Sequence, residues 1–166
     1  MTVLGIKRKL CFFLVNKLLA GTRHFSQKRK ILNWAGFQIG EGTKVVGPVY
    51  CTAELRIGRN CWIGRDFSVD GNGTVVIGDN CDLGPNVSFQ VGGHQIGTSE
   101  RRAGKGIIFQ TVVGNGCWIC ANSTILGGVT VGDGCVVAAC GCVAGDVPPN
   151  VLTGGVPARV IRHLEE

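Results

Sequence analysis

The stretch Val113-Gly114-Asn115-Gly116-Cys117-Trp118-Ile119-Cys120-Ala121-Asn122-Ser123-Thr124-Ile125-Leu126-Gly127-Gly128-Val129-Thr130-Val131 is apolar at every sixth position: Val113, Ile119, Ile125 and Val131. The period continues through Val137 and Val143. Upstream it runs Ile39, Val45, Cys51, Ile57, Ile63 and Val69, slips by two residues, and resumes at Ile77, Leu83 and Phe89. A six-residue repeat has one well-known solution, the parallel β-helix. Each hexapeptide is a short strand plus a corner, and three of them close a triangular coil. An amphipathic helix would need apolar steps of three and four, which this region lacks.

Wrapping three hexapeptides per coil tests the reading. Face one stacks Ile39, Ile57, Ile77, Val113 and Val131. Face two stacks Val45, Ile63, Leu83, Ile119 and Val137, and face three stacks Cys51, Val69, Phe89, Ile125 and Val143. Every stacked position is apolar, so each face supplies a continuous inward ladder with coils about 4.8 Å apart. Gly40, Gly58, Gly78, Gly114 and Gly132 form a further column where stacked backbones crowd at a corner.

The same wrapping accounts for the thiols. Nine cysteines suggest a disulfide scaffold or a zinc site. Yet Cys61, Cys81, Cys117 and Cys135 fall in one column above Thr43, where a small buried side chain is wanted. Sulfurs in a line cannot enclose a tetrahedral zinc, and parallel side chains suit disulfide geometry poorly. Cys120, Cys140 and Cys142 are expected to play similar small-residue roles. No signal peptide stands out, so a reducing cytoplasmic compartment is expected.

Composition and length suit one domain with three parts: a helical cap at 1–36, a β-helix at 37–148 with a protruding loop at about 92–112, and a tail with a short helix at 149–166. The formal net charge is +6. A basic surface attracts polyanions, but no nucleic-acid-binding motif is present, so nucleic acid is not an expected partner. The segment from Ile6 to Leu19 reads as a basic, largely apolar helix, too short to span a bilayer. It is expected to cover the end of the β-helix or to meet a neighbouring subunit, with peripheral attachment to anionic membrane as a second reading.

Two further segments leave the repeat. Gly92 to Gly106 is polar and glycine-rich, and a loop thrown out of a rigid solenoid is a natural place for function. Its root holds His94; His24 and His163 lie far away in the two terminal regions. At the end, Pro148-Pro149 stops the ladder. Arg159 and Arg162 follow, three apart, and share a face if this segment is helical.

These residues together resemble the hexapeptide-repeat acyltransferases, in particular the maltose/galactoside and polysaccharide O-acetyltransferases. The likeness covers about 32–162. It is most specific in the quoted segment, in Gly128-Val129-Thr130-Val131-Gly132-Asp133-Gly134, in Asp146-Val147-Pro148-Pro149-Asn150 and in Gly155-Val156-Pro157-Ala158-Arg159-Val160-Ile161-Arg162. His94-Gln95-Ile96-Gly97 followed by Arg101-Arg102-Ala103-Gly104 resembles a loop of polysaccharide-modifying members.

The resemblance implies a left-handed β-helix, an all-β solenoid assembling as a homotrimer. It also implies acetyl transfer from acetyl-coenzyme A to a hydroxyl of a sugar or polysaccharide, at a site between subunits. His94 matches the general base, at the family's separation from the tryptophan matched by Trp118. Ala121, Ala139, Ala144 and Gly145 match positions lining the coenzyme groove, and Arg159 and Arg162 match a basic pair near its phosphates. Asp66 and Asp70, read as lying on neighbouring coils, are candidates for acceptor contact. No metal is required.

Five positions depart from the pattern. Ala144-Gly145 replaces a common Thr-Lys pair. Cys140 and Cys142 replace glycine and valine. Gly64 stands where the sugar enzymes carry a ligand-holding asparagine, which counts against maltose or galactoside as acceptor.

The chemistry suits these residues. An alcohol is a poor nucleophile at neutral pH, and a neutral imidazole can take its proton as it attacks the thioester. A backbone N–H in the glycine-rich groove would meet the oxyanion, and Glu100 is a candidate to orient the ring. Of the rivals, a γ-class carbonic anhydrase needs several histidines on the coil faces. An acetyltransferase for an antibiotic or an amino acid such as serine stays open, though the large helical domain typical of serine acetyltransferases is missing. A non-catalytic scaffold would have no need for His94 with Arg159 and Arg162.

Overall fold

The computed structural model describes residues 2–165. The chain is a left-handed β-helix of three parallel ladders, preceded by helices and closed by a hairpin. Face one comprises Gln38–Ile39, Glu54–Ile57, Thr74–Ile77, Gln110–Val113 and Thr130–Val131. Its register pairs Ile39 with Ile57, Ile57 with Ile77, Ile77 with Val113, and Val113 with Val131. Faces two and three follow the expected columns in the same way, from Val45 to Val137 and from Cys51 to Val143. All these side chains are buried, so the prism's interior is one continuous apolar column.

Two backbone devices turn the corners. At the face-one glycines stacked chains approach so closely that a Cβ on Gly78 would lie 2.8 Å from the Gly114 backbone. Between faces one and two the chain passes through left-handed conformation at Asn60, Asn80, Gly116, Gly134 and Asn150. Between faces two and three it does so at Asp66, Asn86, Asn122 and Cys140. Asparagine and aspartate tolerate that region because their short polar side chains bond locally; for Cys140 the structure offers no such rationale.

The first coil would expose unpaired strand edges, and the helical segment closes them. Helix α1 spans Val3–Phe13, continues through a π-helical turn at Leu14–Leu18, and is followed by α2 at Phe25–Trp34. Each face receives one side chain. Asn33 brackets Ile39, accepting from its N–H at 2.7 Å and donating to its carbonyl at 3.1 Å. Asn16 does the same for Val49 at 2.9 and 2.7 Å. The fully buried Lys28 donates to the carbonyls of Val46 and Gly21 at 2.9 and 2.6 Å. Burial lowers the Lys28 pKa.

Two expectations need correction. The segment after Pro149 is not helical. Val151–Gly155 rejoins face two, pairing Thr153 with Val137, and Ala158–His163 folds back on it as an antiparallel strand. The cause is a sheet edge that needs a partner, combined with a turn at Gly155, whose φ of 96° few other residues adopt. The excursion at 92–112 is also ordered. Gly92–Ile96 and Ala103–Ile108 form an antiparallel hairpin, and the solenoid resumes at Gln110, earlier than expected.

Candidate active site

His94 sits on the first strand of the hairpin, opposite Gly106. Its Nδ1 lies 2.8 Å from the carbonyl oxygen of Gly104. A carbonyl only accepts, so Nδ1 carries a proton, and in the neutral ring Nε2 keeps its lone pair. The ring's orienting partner is therefore a backbone carbonyl of the facing strand rather than Glu100. Sequence could not reveal it, because every residue brings a carbonyl.

The imidazole lines a cleft of ≈ 550 Å³ with Asp70, Gly71, Asn72, Gln90, Gly93 and Ile107 among its neighbours. The cleft lies at the edge between faces three and one, where the two-residue slip after Val69 lets Asp70 to Gly73 bow outward. That slip is the sequence signal for Asn72, whereas Gln90, on the regular face-three strand Ser88–Gln90 of the next coil, carries no such mark.

Asp66 and Asp70 do not lie on neighbouring coils. Both belong to one coil, at opposite ends of the face-three strand Phe67–Asp70. Only Asp70 reaches the His94 cleft, and Asp66 lines a separate depression with Asn16, Tyr50 and Ser68.

The remaining candidates divide between edges. Ala144 and Gly145 are exposed on the same edge as His94, two coils further on. Gly145 shares a pocket of ≈ 170 Å³ with Asp146, Thr153 and Arg159. Ala121 and Ala139 stack one above the other on the edge between faces two and three, where the Cys140 N–H donates to the Ala121 carbonyl at 3.0 Å. Arg159 pairs with Gly154 and Arg162 with Leu152, with a bulge between. Gly154 and Leu152 are two apart on one strand, so both arginines share a side of the hairpin despite the loss of the expected helix. Trp118 stands 56% exposed on face two, opposite the edge that carries His94. One chain therefore does not bring His94 together with Trp118, Ala121 or Ala139.

The thiol column is occupied in structural bonding. Cys61, Cys81, Cys117 and Cys135 each donate to a carbonyl of the next coil, those of Gly78, Gly114, Gly132 and Pro148, at 3.0–3.2 Å. Thr43 does the same toward Gly58 at 2.7 Å. Burial pushes the Cys51 thiol up to about 11, and Cys81 is raised to about 11 by its sulfur contact with Cys117 and by burial. Cys117, in the same column, is lowered instead by its sulfur contact with Cys81. Among the described residues no group of three or more His, Cys, Asp or Glu side chains is arranged to hold a metal ion.

Comparison with known proteins agrees with this architecture. Residues 110–145 match the bacterial transferase hexapeptide model (six repeats), and residues 54–88 match the hexapeptide repeat of succinyl-transferase. The chain is 38% identical over 130 residues to a galactoside O-acetyltransferase of Escherichia coli, covering 77% of this chain and 64% of that protein. It is 30% identical over 138 residues to a putative colanic acid biosynthesis acetyltransferase of the same species, covering 82% and 74%. A hexapeptide-repeat acetyltransferase from Vibrio cholerae, solved with acetyl-coenzyme A, superposes with a TM-score of 0.84 at 28% identity, over 98% of this chain and 88% of that one. The chain belongs to the hexapeptide-repeat acetyltransferase family. It spans under two thirds of the length of the galactoside enzyme.

Proposed function

We propose that this chain transfers an acetyl group from acetyl-coenzyme A to a hydroxyl of a sugar or polysaccharide, with His94 as general base. The observation that carries this reading is the Nδ1–H bond to the Gly104 carbonyl, which leaves Nε2 able to accept a proton at a cleft lined by amide and carboxylate groups. The acceptor oxygen attacks the thioester carbonyl as its proton passes to Nε2. A backbone N–H stabilises the tetrahedral oxyanion. Collapse expels the coenzyme A sulfur, which takes the proton from Nε2, leaving the acetyl ester and free coenzyme A. Asp70, Asn72 and Gln90 supply acceptors and donors suited to sugar hydroxyls.

The working unit in this proposal is a homotrimer. His94 on one edge and Trp118, Ala121 and Ala139 elsewhere on the prism suit a site with walls from two subunits. Ala121, Ala139, Ala144 and Gly145 line the pantetheine path, and the exposed Arg159 and Arg162 hold the nucleotide phosphates, which a guanidinium can grip at two oxygens.

The test is turnover of acetyl-coenzyme A with a panel of sugars and oligosaccharides, read by mass spectrometry because the exposed Cys140 would consume a thiol dye. His94→Ala is expected to lower kcat by about 10²–10⁴ with little change in coenzyme affinity. Turnover near that of the unaltered protein would remove His94 from the mechanism.

A further inference from the structure

The first forty residues carry eight lysines and arginines and no aspartate or glutamate, whereas the rest of the chain carries nine basic and eleven acidic residues. The whole positive excess thus sits on the helical segment that caps the solenoid. Helix α1 turns one face inward, burying Cys11 and bringing Phe12 against Phe37 and Tyr50. Its other face is open. Val3, Ile6, Leu10 and Phe13, spaced three, four and three apart, form a single stripe and are 72%, 50%, 47% and 54% exposed.

Lys7, four residues after Val3 and three before Leu10, borders one side of the stripe. Lys9, three after Ile6 and four before Phe13, borders the other. Leu18 and Trp34 extend the exposed apolar surface, with the Lys7 ammonium 5.2 Å from the Trp34 ring centre. Nothing within the fold needs this stripe, since the solenoid end is already closed by Asn16, Lys28 and Asn33.

We propose that α1 docks the protein on an anionic lipid bilayer, with the Val3–Ile6–Leu10–Phe13 stripe lying at the level of the acyl-chain boundary and the flanking lysines among the headgroups. An apolar stripe bordered by cations matches that interface, where lysine stems lie along apolar surface and their ammonium groups reach the headgroups. Charge decides the occupant. A second copy would bring its own net positive helix against this one, whereas an anionic surface attracts it within a Debye length. No helix among the described residues is long and apolar enough to cross a membrane, so the contact is peripheral. Arg8 of α1 donates to the Thr52 carbonyl at 3.2 Å, and the Gly71 N–H donates to the Thr52 hydroxyl at 3.0 Å. Thr52 lies on the His94 edge, one coil below Asp70 and Gly71 of the cleft and two below the coil that carries His94, or roughly 10 Å from it at the normal strand spacing. Docking through α1 thus holds the cleft close to the bilayer surface.

Sedimentation with vesicles tests this on the full chain. The protein is expected to pellet with vesicles of equal parts phosphatidylcholine and phosphatidylglycerol, to stay in solution with phosphatidylcholine alone, and to be released by salt. Ile6→Gln with Phe13→Gln should weaken the anionic binding by about tenfold or more. Lys9→Gln with Lys17→Gln, both exposed, should weaken it and flatten its salt dependence, and this pair carries the test should the first lose its melting transition. Absence of binding to anionic vesicles, or equal binding to neutral ones, overturns the proposal. So does a change of molar mass in the stripe variant, which would assign the stripe to contact between copies. Acetyl-coenzyme A turnover with a soluble acceptor is read separately: turnover without vesicle binding rejects docking alone, and vesicle binding without turnover rejects acetyl transfer alone.

Discussion

Cys81→Ala isolates what the thiol column does. Cys81 has no exposed surface, and its Sγ donates to the Gly114 carbonyl at 3.0 Å. Alanine removes the sulfur and leaves that carbonyl without its thiol partner. The unpaired group costs about 1–3 kcal/mol and the small cavity on the order of 1 kcal/mol. Together these give about 2–4 kcal/mol, which in a chain of this size lowers Tm by roughly 5–12 °C. Cys81→Ser behaves differently, because a hydroxyl can serve the same carbonyl. Thr43, at the base of the column, already bonds the Gly58 carbonyl this way at 2.7 Å. Serine should therefore recover most of the loss and shift Tm by less than about 4 °C. Thermal unfolding followed by circular dichroism reads both variants, and turnover reports whether chemistry is touched. An alanine variant as stable as the parent, or a serine variant as weak as alanine, refutes the hydrogen-bonding role. Stoichiometric zinc in the parent, lost in both variants, refutes the structural reading of the column altogether.

Three other predictions follow from the same geometry. Burial raises the Cys51 thiol from the ordinary value of 9.0 to about 11, so its stabilisation is complete below pH 9 and is lost as pH rises toward 11; urea unfolding across that window should show a decline whose slope Cys51→Ala lessens. Gly78→Ala puts a Cβ 2.6 Å from the Asn115 Oδ1 and 2.8 Å from the Gly114 backbone and should cost about 2–3 kcal/mol, whereas Gly145→Ala, with nothing within 4 Å, should stay within about 0.5 kcal/mol on the same denaturation curves. Arg159→Ala with Arg162→Ala is expected to raise the Kd for coenzyme A and reduce its salt sensitivity while leaving kcat largely intact, as titration calorimetry and saturation kinetics would report.

The ladders could be read from sequence because a buried solenoid column tolerates only apolar side chains at fixed intervals, and Ile39 through Val143 obey that rule without exception. The hairpin at Gly92–Ile96 and Ala103–Ile108 stayed hidden for the opposite reason. Both of its faces are largely solvated, so no period-two burial pattern marks it. The terminal segment misled because Arg159 and Arg162 have helical spacing, while the influence that decided its structure was the open edge of face two, which no local pattern encodes. His94 could be singled out by isolation alone, but its tautomer depends on a backbone carbonyl ten residues away. The division of the remaining candidates between two edges became visible only once the coils were wound in space.

The three polar side chains that meet the first coil also set the length of the object. A parallel ladder presents the same row of donors and acceptors at each successive turn, so a bare end is a template for another coil, whether from this chain or from a copy of it. Asn16 and Asn33 each satisfy one donor and one acceptor that a preceding coil would have satisfied, and Lys28 takes the carbonyl between them. At the far end the antiparallel strand Ala158–His163 presents a register that a parallel coil cannot extend. The protein is in effect a fibre one molecule long, and loss of either terminator would favour end-to-end growth of filaments over discrete particles.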